Sequence, residues 1–444
     1  PAPPAPPAPP APPAPPAVAE EPKEKEQDDK ADKRGALKEA VHFDVAETTL
    51  NVICTAGGKV LKSLSDGGMQ YLIAGARANT GLTAGRYFYE VRILEVLNPA
   101  EGPQGRGRVP QPKNLARVGF SVAGSSLILG DGDKGVAFDV DGFYWADKKR
   151  APATQRWGRD VVVGVLLNLD AKSPNANTVS LFRNGERAGP PQPIPEALQG
   201  QALFPHVSFR NVAVQVNFGP APMKELPFKC RTLGAAAGAD CAVAKSSAPK
   251  DGKYDVLFPV AIPDEGTFDW LDDFLERNPS YVELSDRMIQ EWAVKSGVWK
   301  PKNQPWRSSN DKPEFNFGLT SMDDGSVRRS MMTLASVMPR NYVMMEIKQN
   351  LVENDRKENL KRFSAGHFKK VAQVVMGEPP AALKKRTLEK MLAEKTEREM
   401  AIWRAKQLEK ERKKQLELRQ KQLAELQKKA QEDAAAAAAA AASS

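Results

Sequence analysis

GQALFPHVSFRNVAVQVNFG, residues 200–219, is the stretch on which the fold turns. Val207 and Phe209, then Val212, Val214, Val216 and Phe218, recur at every second position, the period of a strand with one buried face. The polar pair Arg210-Asn211 interrupts them and reads as a hairpin or bulge between two strands, the closing pair of an antiparallel sandwich. The SLFRNGE run just before it, residues 180–186, has the same strand-and-turn character. Further upstream, apolar segments at 50–54 and 69–74 are separated by Ala56-Gly57-Gly58 and Asp66-Gly67-Gly68, clusters suited to turns. Tyr87, Tyr89, Val91 and Ile93 share one strand face, which is assigned to the core. Residues 160–169, DVVVGVLLNL, are apolar almost throughout, as a central strand buried on both faces would be. Strands at this spacing predict an all-β sandwich over residues 41–230.

The same residues resemble the SPRY domain, in the version found in the heterogeneous nuclear ribonucleoprotein U family. The likeness runs over residues 41–227 and rests on three segments. They are Gly200-Gln201-Ala202-Leu203-Phe204-Pro205-His206-Val207 with Asn217-Phe218-Gly219, IAGARANTGLTAGRYFYEVRILE at 73–95, and ARVGFSV at 116–122. It implies a partner-binding module whose specificity lies in its loops. The candidate contact residues are Arg77, Tyr144 and Trp145, together with the proline- and glycine-rich loop 98–114 carrying Arg106 and Arg108. Those two arginines read either as phosphate contacts or as solvated loop charges.

Two tempting motifs fail on context. Gly130, Gly132 and Gly135 have the G-x-G-x-x-G spacing, but VAFDVDGFYW follows with strand alternation, so no helix opens on a phosphate. Asp131, Asp133, Asp139 and Asp141 lack the glycine and closing glutamate of an EF-hand loop. All three histidines, His42, His206 and His367, stand isolated, and His206 is assigned a structural role. No constellation has the makings of a catalytic triad, a metal site or a carboxylate pair, so neither enzyme activity nor a cofactor is expected.

Composition sets the frame. The 444 residues, 41% hydrophobic, allow two or three domains. Cys54, Cys230 and Cys241 have no zinc-type spacing and point to a reducing compartment. No apolar run approaches the ~20 residues of a membrane helix, and a soluble intracellular protein, cytoskeletal, ciliary or nuclear, is expected. The net charge of +9 favours acidic partners.

Residues 1–40 begin with a Pro-Ala repeat, an extended polyproline spacer or docking strand, and continue with mixed charges that have nothing to bury; the segment is expected to be disordered. Residues 231–252, rich in alanine, read as a linker. Residues 253–380 resemble the α/β domain that follows the SPRY domain in the same family, where the phosphate loop has the form GLPGxGKTTW. Aligned on Pro263, Gly266 and Trp270, this chain reads Ala261-Ile262-Pro263-Asp264-Glu265-Gly266-Thr267-Phe268. Thr267 stands where the phosphate-binding lysine belongs, and Phe268 where the magnesium-binding hydroxyl belongs. A carboxylate about 4 Å from a phosphate charge repels it by about 4 kcal/mol at an effective dielectric near 20. The ~0.3–1 kcal/mol of a helix dipole does not offset that. A degenerate P-loop-kinase-like domain is therefore expected, its helix keeping an apolar face of Phe268, Trp270, Leu271, Phe274 and Leu275. The stretch 315–332 resembles a later strand and helix of that domain, with Thr320-Ser321 in place of Asp-Gln. Trp292, Trp299 and Trp306 read as packing residues or as base-stacking platforms.

Residues 381–433 contain no glycine or proline and are dense in strong helix formers, a long basic helix or coiled coil; residues 434–444 are a polyalanine tail. Its apolar seam is broken, since Leu416 and Leu423 are one heptad apart but Leu408 is out of step. The sequence thus predicts a β-sandwich, a degenerate α/β domain and a helical arm with Trp403 as a contact residue. The expected role is a non-catalytic adaptor in a multi-protein assembly, binding proteins through loops and arm. The alternatives are a nuclear RNA-associated protein and a nucleotide-dependent enzyme.

Overall fold

A computed structural model describes residues 24, 26–30, 32–98, 113–244, 249–261, 267–298, 322–345, 352–376 and 381–441. Two compact units divide the chain: residues 1–261 with 277–375, and residues 262–276 with 376–444.

The first unit contains the sandwich. One sheet has seven strands in the order Phe43–Thr48, Ala74–Ala78, Phe204–Arg210, Leu115–Ser121, Gly135–Asp139, Phe143–Ala146 and Lys149–Pro152. The facing sheet is built around Val162–Asn168, Arg86–Val96 and Val212–Asn217. Tyr87, Tyr89, Val91 and Ile93 point into the core between the sheets with Val207, Phe209, Val214 and Val216, the face the alternation assigned to them. Val162–Asn168 is buried along its whole length because its outer face is covered as well, with Leu166, Phe88, Phe182 and Phe228 forming a second small cluster.

The pair Arg210-Asn211 is not a hairpin. Phe204–Arg210 lies in the seven-stranded sheet and Val212–Asn217 in the other, so Asn211 is a one-residue crossing between the two. Its backbone is left-handed, with φ of 54°, a conformation asparagine tolerates better than most residues. Its buried amide donates to the carbonyl of Gln70 at 3.0 Å.

The described parts of two segments expected to be loose make specific contacts with the sandwich. The small residues after 230 fill the sandwich: Arg231–Thr232 pairs in parallel with Arg86–Val96, Leu233 and Ala236 enter the core, and Cys241–Val243 pairs with Thr80–Leu82. Ala236 and Ala237 are fully buried there. The charged segment from Glu24 lies along the same side of the sandwich, with Leu37 donating its amide to Ala236. Its acids meet arginines that lie far away in sequence, a pairing invisible to local composition.

The same unit carries an α/β lobe. Its sheet runs Tyr281–Leu284, Asn341–Met344, Tyr254–Ala261, Phe368–Met376, and the first three strands are parallel. Helices α2 (Asp286–Lys295), α3 (Asp324–Ala335) and α4 (Glu353–Arg362) accompany it. Ser285 and Asp323 cap α2 and α3 by accepting the amides of Met288 and Ser326. The lobe and the sandwich share one hydrophobic cluster, in which Leu50, Tyr71, Ile73 and Ile128 meet Phe258, Trp292, Met331 and Tyr342. Trp292 is thus a packing residue; Trp299, Trp306 and Thr320-Ser321 lie outside the described residues.

The second unit pairs helix α1 (Thr267–Arg277) with helix α5 (Ala381–Ala441), in which Arg386 forms ion pairs with Asp273 and Glu276. No helix among the described residues is long and apolar enough to cross a membrane.

Candidate interaction site

Strand alternation decides which of the proposed contact residues face outward. On Phe143–Ala146, Tyr144 points into the core, packing on Phe138 at 5.1 Å and donating its hydroxyl to the Pro193 carbonyl at 2.9 Å. Burial raises its phenol above the ordinary range. Tyr144 is therefore not a surface contact. Its neighbours Phe143 and Trp145 take the outer face, opposite Pro152 and Arg150 on the next strand. Trp145 is half-buried there, its indole nitrogen donating to Asp139 at 2.7 Å, with the Arg117 guanidinium 4.1 Å over its ring. The exposed Arg150 sits 4.8 Å over Phe143. The result is a patch of two aromatic rings and two guanidinium groups on the outer face of one sheet. A hairpin turn at Asp147-Lys148, both left-handed, fixes the register that creates it.

Arg77, the third proposed contact, is 1% exposed and works inside the protein. Its Nε donates to Ser121 at 2.8 Å, one terminal nitrogen to Glu47 at 2.5 Å, and the other to the carbonyls of Ser125 and Ser126. Ser121 in turn meets His206 Nδ1 at 2.8 Å, and His206 Nε2 donates to the Leu127 carbonyl at 3.0 Å. This chain fixes the tautomer of a histidine whose pKa burial and the Arg77 charge hold well below the usual value. Together they clamp residues 122–129 onto the outer face of the seven-stranded sheet. A side chain at Gly75 would collide with the Leu127 carbonyl at 1.6 Å, so that position requires glycine. Arg77 is a residue that positions a loop, and no sequence signal separated that role from contact.

Between the sandwich and the α/β lobe lies a cleft of about 240 Å³, walled by Leu50, Leu127, Ile128, Met288 and Trp292, with Lys295 and Arg340 at its polar edge. It is below the ~300–1,000 Å³ typical of ligand pockets. Arg340 is already engaged, donating to the carbonyl and hydroxyl of Thr48.

Asp264, Glu265 and Gly266 lie outside the described residues, as do Arg106 and Arg108. Ala261 ends the first strand of the lobe and Thr267 begins α1, while Phe268 is half-buried. On α5, Trp403 is 57% exposed, and Leu388, Met391, Leu392 and Ile402 are exposed as well. At 100° per residue these five fall within about 120° of one another, an arc that also holds Lys395 and Glu399, while the exposed Met400 and Leu408 lie outside it.

No model of a known protein family matches the chain. Over 315 residues, 69% of its length, the chain is 26% identical to the mouse protein Heterogeneous nuclear ribonucleoprotein U-like protein 2 and spans only 39% of that relative. A shorter likeness to the Drosophila melanogaster ATP-dependent RNA helicase Ddx1, 26% over 154 residues, covers 34% of this chain and 18% of the helicase. Among solved structures, the SPRY domain of human HERC1 is similar at 18% identity and a TM-score of 0.29, covering 39% of this chain and 96% of that domain. The sandwich is defined by its own sheets, with or without these likenesses.

Proposed function

We propose that this chain is a non-catalytic adaptor of a multi-protein assembly, cytoskeletal or ciliary. It consists of a SPRY-type sandwich, a nucleotide-kinase-like lobe that has lost its phosphate site, and a helical arm that docks on a helix of a partner protein. The observation that carries this reading is the exposed apolar face of α5 formed by Leu388, Met391, Leu392, Ile402 and Trp403. A single helix has no use for such a stripe in water, whereas a partner helix buries it. The pair of Glu394 with Arg398 holds the helix from beside that face, and the pair of Lys395 with Glu399 falls within its arc. The outward patch of Phe143, Trp145, Arg117 and Arg150 supports a second protein contact, on the sandwich. The succession along the chain of strand Tyr254–Ala261 and helix α1 supports descent from a phosphate-loop domain, and Thr267 and Phe268 support its loss of nucleotide binding.

Cross-linking and co-purification from cells test the arm. The Leu392→Glu, Ile402→Glu, Trp403→Glu triple variant is expected to lose the helical partner that the wild-type chain retains. Equal recovery with both chains overturns the reading. Binding of single-stranded RNA that weakens steeply with salt would instead favour the RNA-associated role suggested by the names of the two relatives.

A further inference from the structure

The acidic segment beginning at Glu24 is seated in a site built to receive it. The Glu26 side chain is 0% exposed. Its Oε1 accepts from Asn168 and Asn175 at 2.9 Å each; its Oε2 accepts from Ser173 at 3.0 Å and from Arg86. These four donors come from the end of one strand, the start of another and the turn between 168 and 177, all part of the sandwich. The turn organises them itself: Asn168 Oδ1 accepts the amide of Asp170, and Asn168 Nδ2 donates to Ser173 at 2.7 Å. Two residues away, Glu24 meets Arg187 fork to fork, at 2.6 and 2.8 Å. Arg187 is itself held by Ser180 at 2.8 Å and lies 4.7 Å over the Phe182 ring, while Arg86 lies 4.9 Å over Phe228. The main chain adds direction, since Asp29 donates its amide to the Lys229 carbonyl at 2.8 Å, and the Lys229 amide donates to the Asp28 carboxylate at 2.8 Å. Arg86 also grips Asp29 and the Gln27 carbonyl, each at 2.6 Å.

This is the chemistry of peptide recognition: two carboxylates two residues apart, each in its own cationic pocket, with the main-chain hydrogen bond from Asp29 to Lys229 fixing the direction. We propose that this groove is a binding site for acidic peptides of the Glu-x-Glu type. It is filled in cis by residues 24–29, and a partner's acidic segment enters it when the strap leaves. The donors are pre-set by the turn and by aromatic stacking, and a buried guanidinium without an anion is costly, so the groove selects a carboxylate-bearing ligand. The site lies on the sandwich and is independent of the arm's role.

The test uses the full chain carrying Glu24→Ala and Glu26→Ala and a fluorescent peptide of residues 20–33, EEPKEKEQDDKADK. Anisotropy should show the peptide binding the double variant at least tenfold more tightly than the wild-type chain, where the strap competes at high effective concentration. A peptide with Glu26→Gln should lose at least tenfold on the variant. Failure of a variant with wild-type circular dichroism to bind the peptide overturns the proposal, as does equal binding of the Gln peptide. Should the double variant not fold, hydrogen exchange on the wild-type chain decides. Excess peptide should speed exchange at Asp29 and the Gln peptide should not; unchanged exchange overturns the proposal.

Discussion

Trp292 of the α/β lobe donates its indole N–H to the carbonyl of Ile73 at 2.8 Å, and the amide of Ile73 donates to Ser296 at 2.9 Å. Both backbone groups of one sandwich residue are thus satisfied by the other lobe, in the middle of their shared apolar cluster. Sandwich and lobe should therefore unfold together. Trp292→Phe keeps most of the ring and leaves the Ile73 carbonyl unpaired, a loss of about 1–3 kcal/mol. Chemical denaturation should show one transition in the wild-type chain's first unit, moved to lower denaturant in this variant.

Arg77 is expected to affect stability rather than contact. Arg77→Lys offers one compact charge where the planar group reached Ser121, Glu47 and the Ser125 and Ser126 carbonyls, and should cost roughly 3 kcal/mol. Thermal melts measure it. An unchanged melt with weakened partner binding would restore Arg77 to the contact surface.

His206 is buried and its pKa is depressed, so the folded protein resists protonating it. The unfolded chain takes up that proton near pH 6.5. Stability is therefore fully present above about pH 6.5 and falls by about 1.4 kcal/mol per unit below it, until the folded pKa is reached. Denaturation midpoints of the wild-type chain and His206→Gln should converge as the pH falls from 7 to 5, because only the former loses this contribution.

Isothermal calorimetry with magnesium ATP and magnesium GTP should register no binding. The proposed loss of the phosphate lysine at Thr267 and the magnesium hydroxyl at Phe268 fails if micromolar uptake is seen.

Strand alternation made the core face of Arg86–Val96 and the doubly buried Val162–Asn168 legible in the sequence, because a buried face repeats every second residue. The resemblance offered Tyr144 and Trp145 together as contact residues, but neighbours on one strand face opposite ways, and here only Trp145 faces outward. What stayed hidden was long-range. Nothing local to Glu26 announces Arg86 or Asn168, and nothing in the alanines near 236 announces that they are buried in the sandwich core. Arg210-Asn211 reads as a hairpin or bulge because alternation shows that a strand ends without showing which sheet the next one joins.

That crossing has a kinetic consequence. With Asn211 alone joining Phe204–Arg210 to Val212–Asn217, neither layer of the sandwich can mature while its counterpart is absent. Phe204–Arg210 must find Ala74–Ala78 more than a hundred positions earlier, and closing so large a loop precedes any reward from the contact. Refolding from denaturant should accordingly be slow for a domain of this size, and the ribosome must release the chain through Phe204–Arg210 before this layer can close.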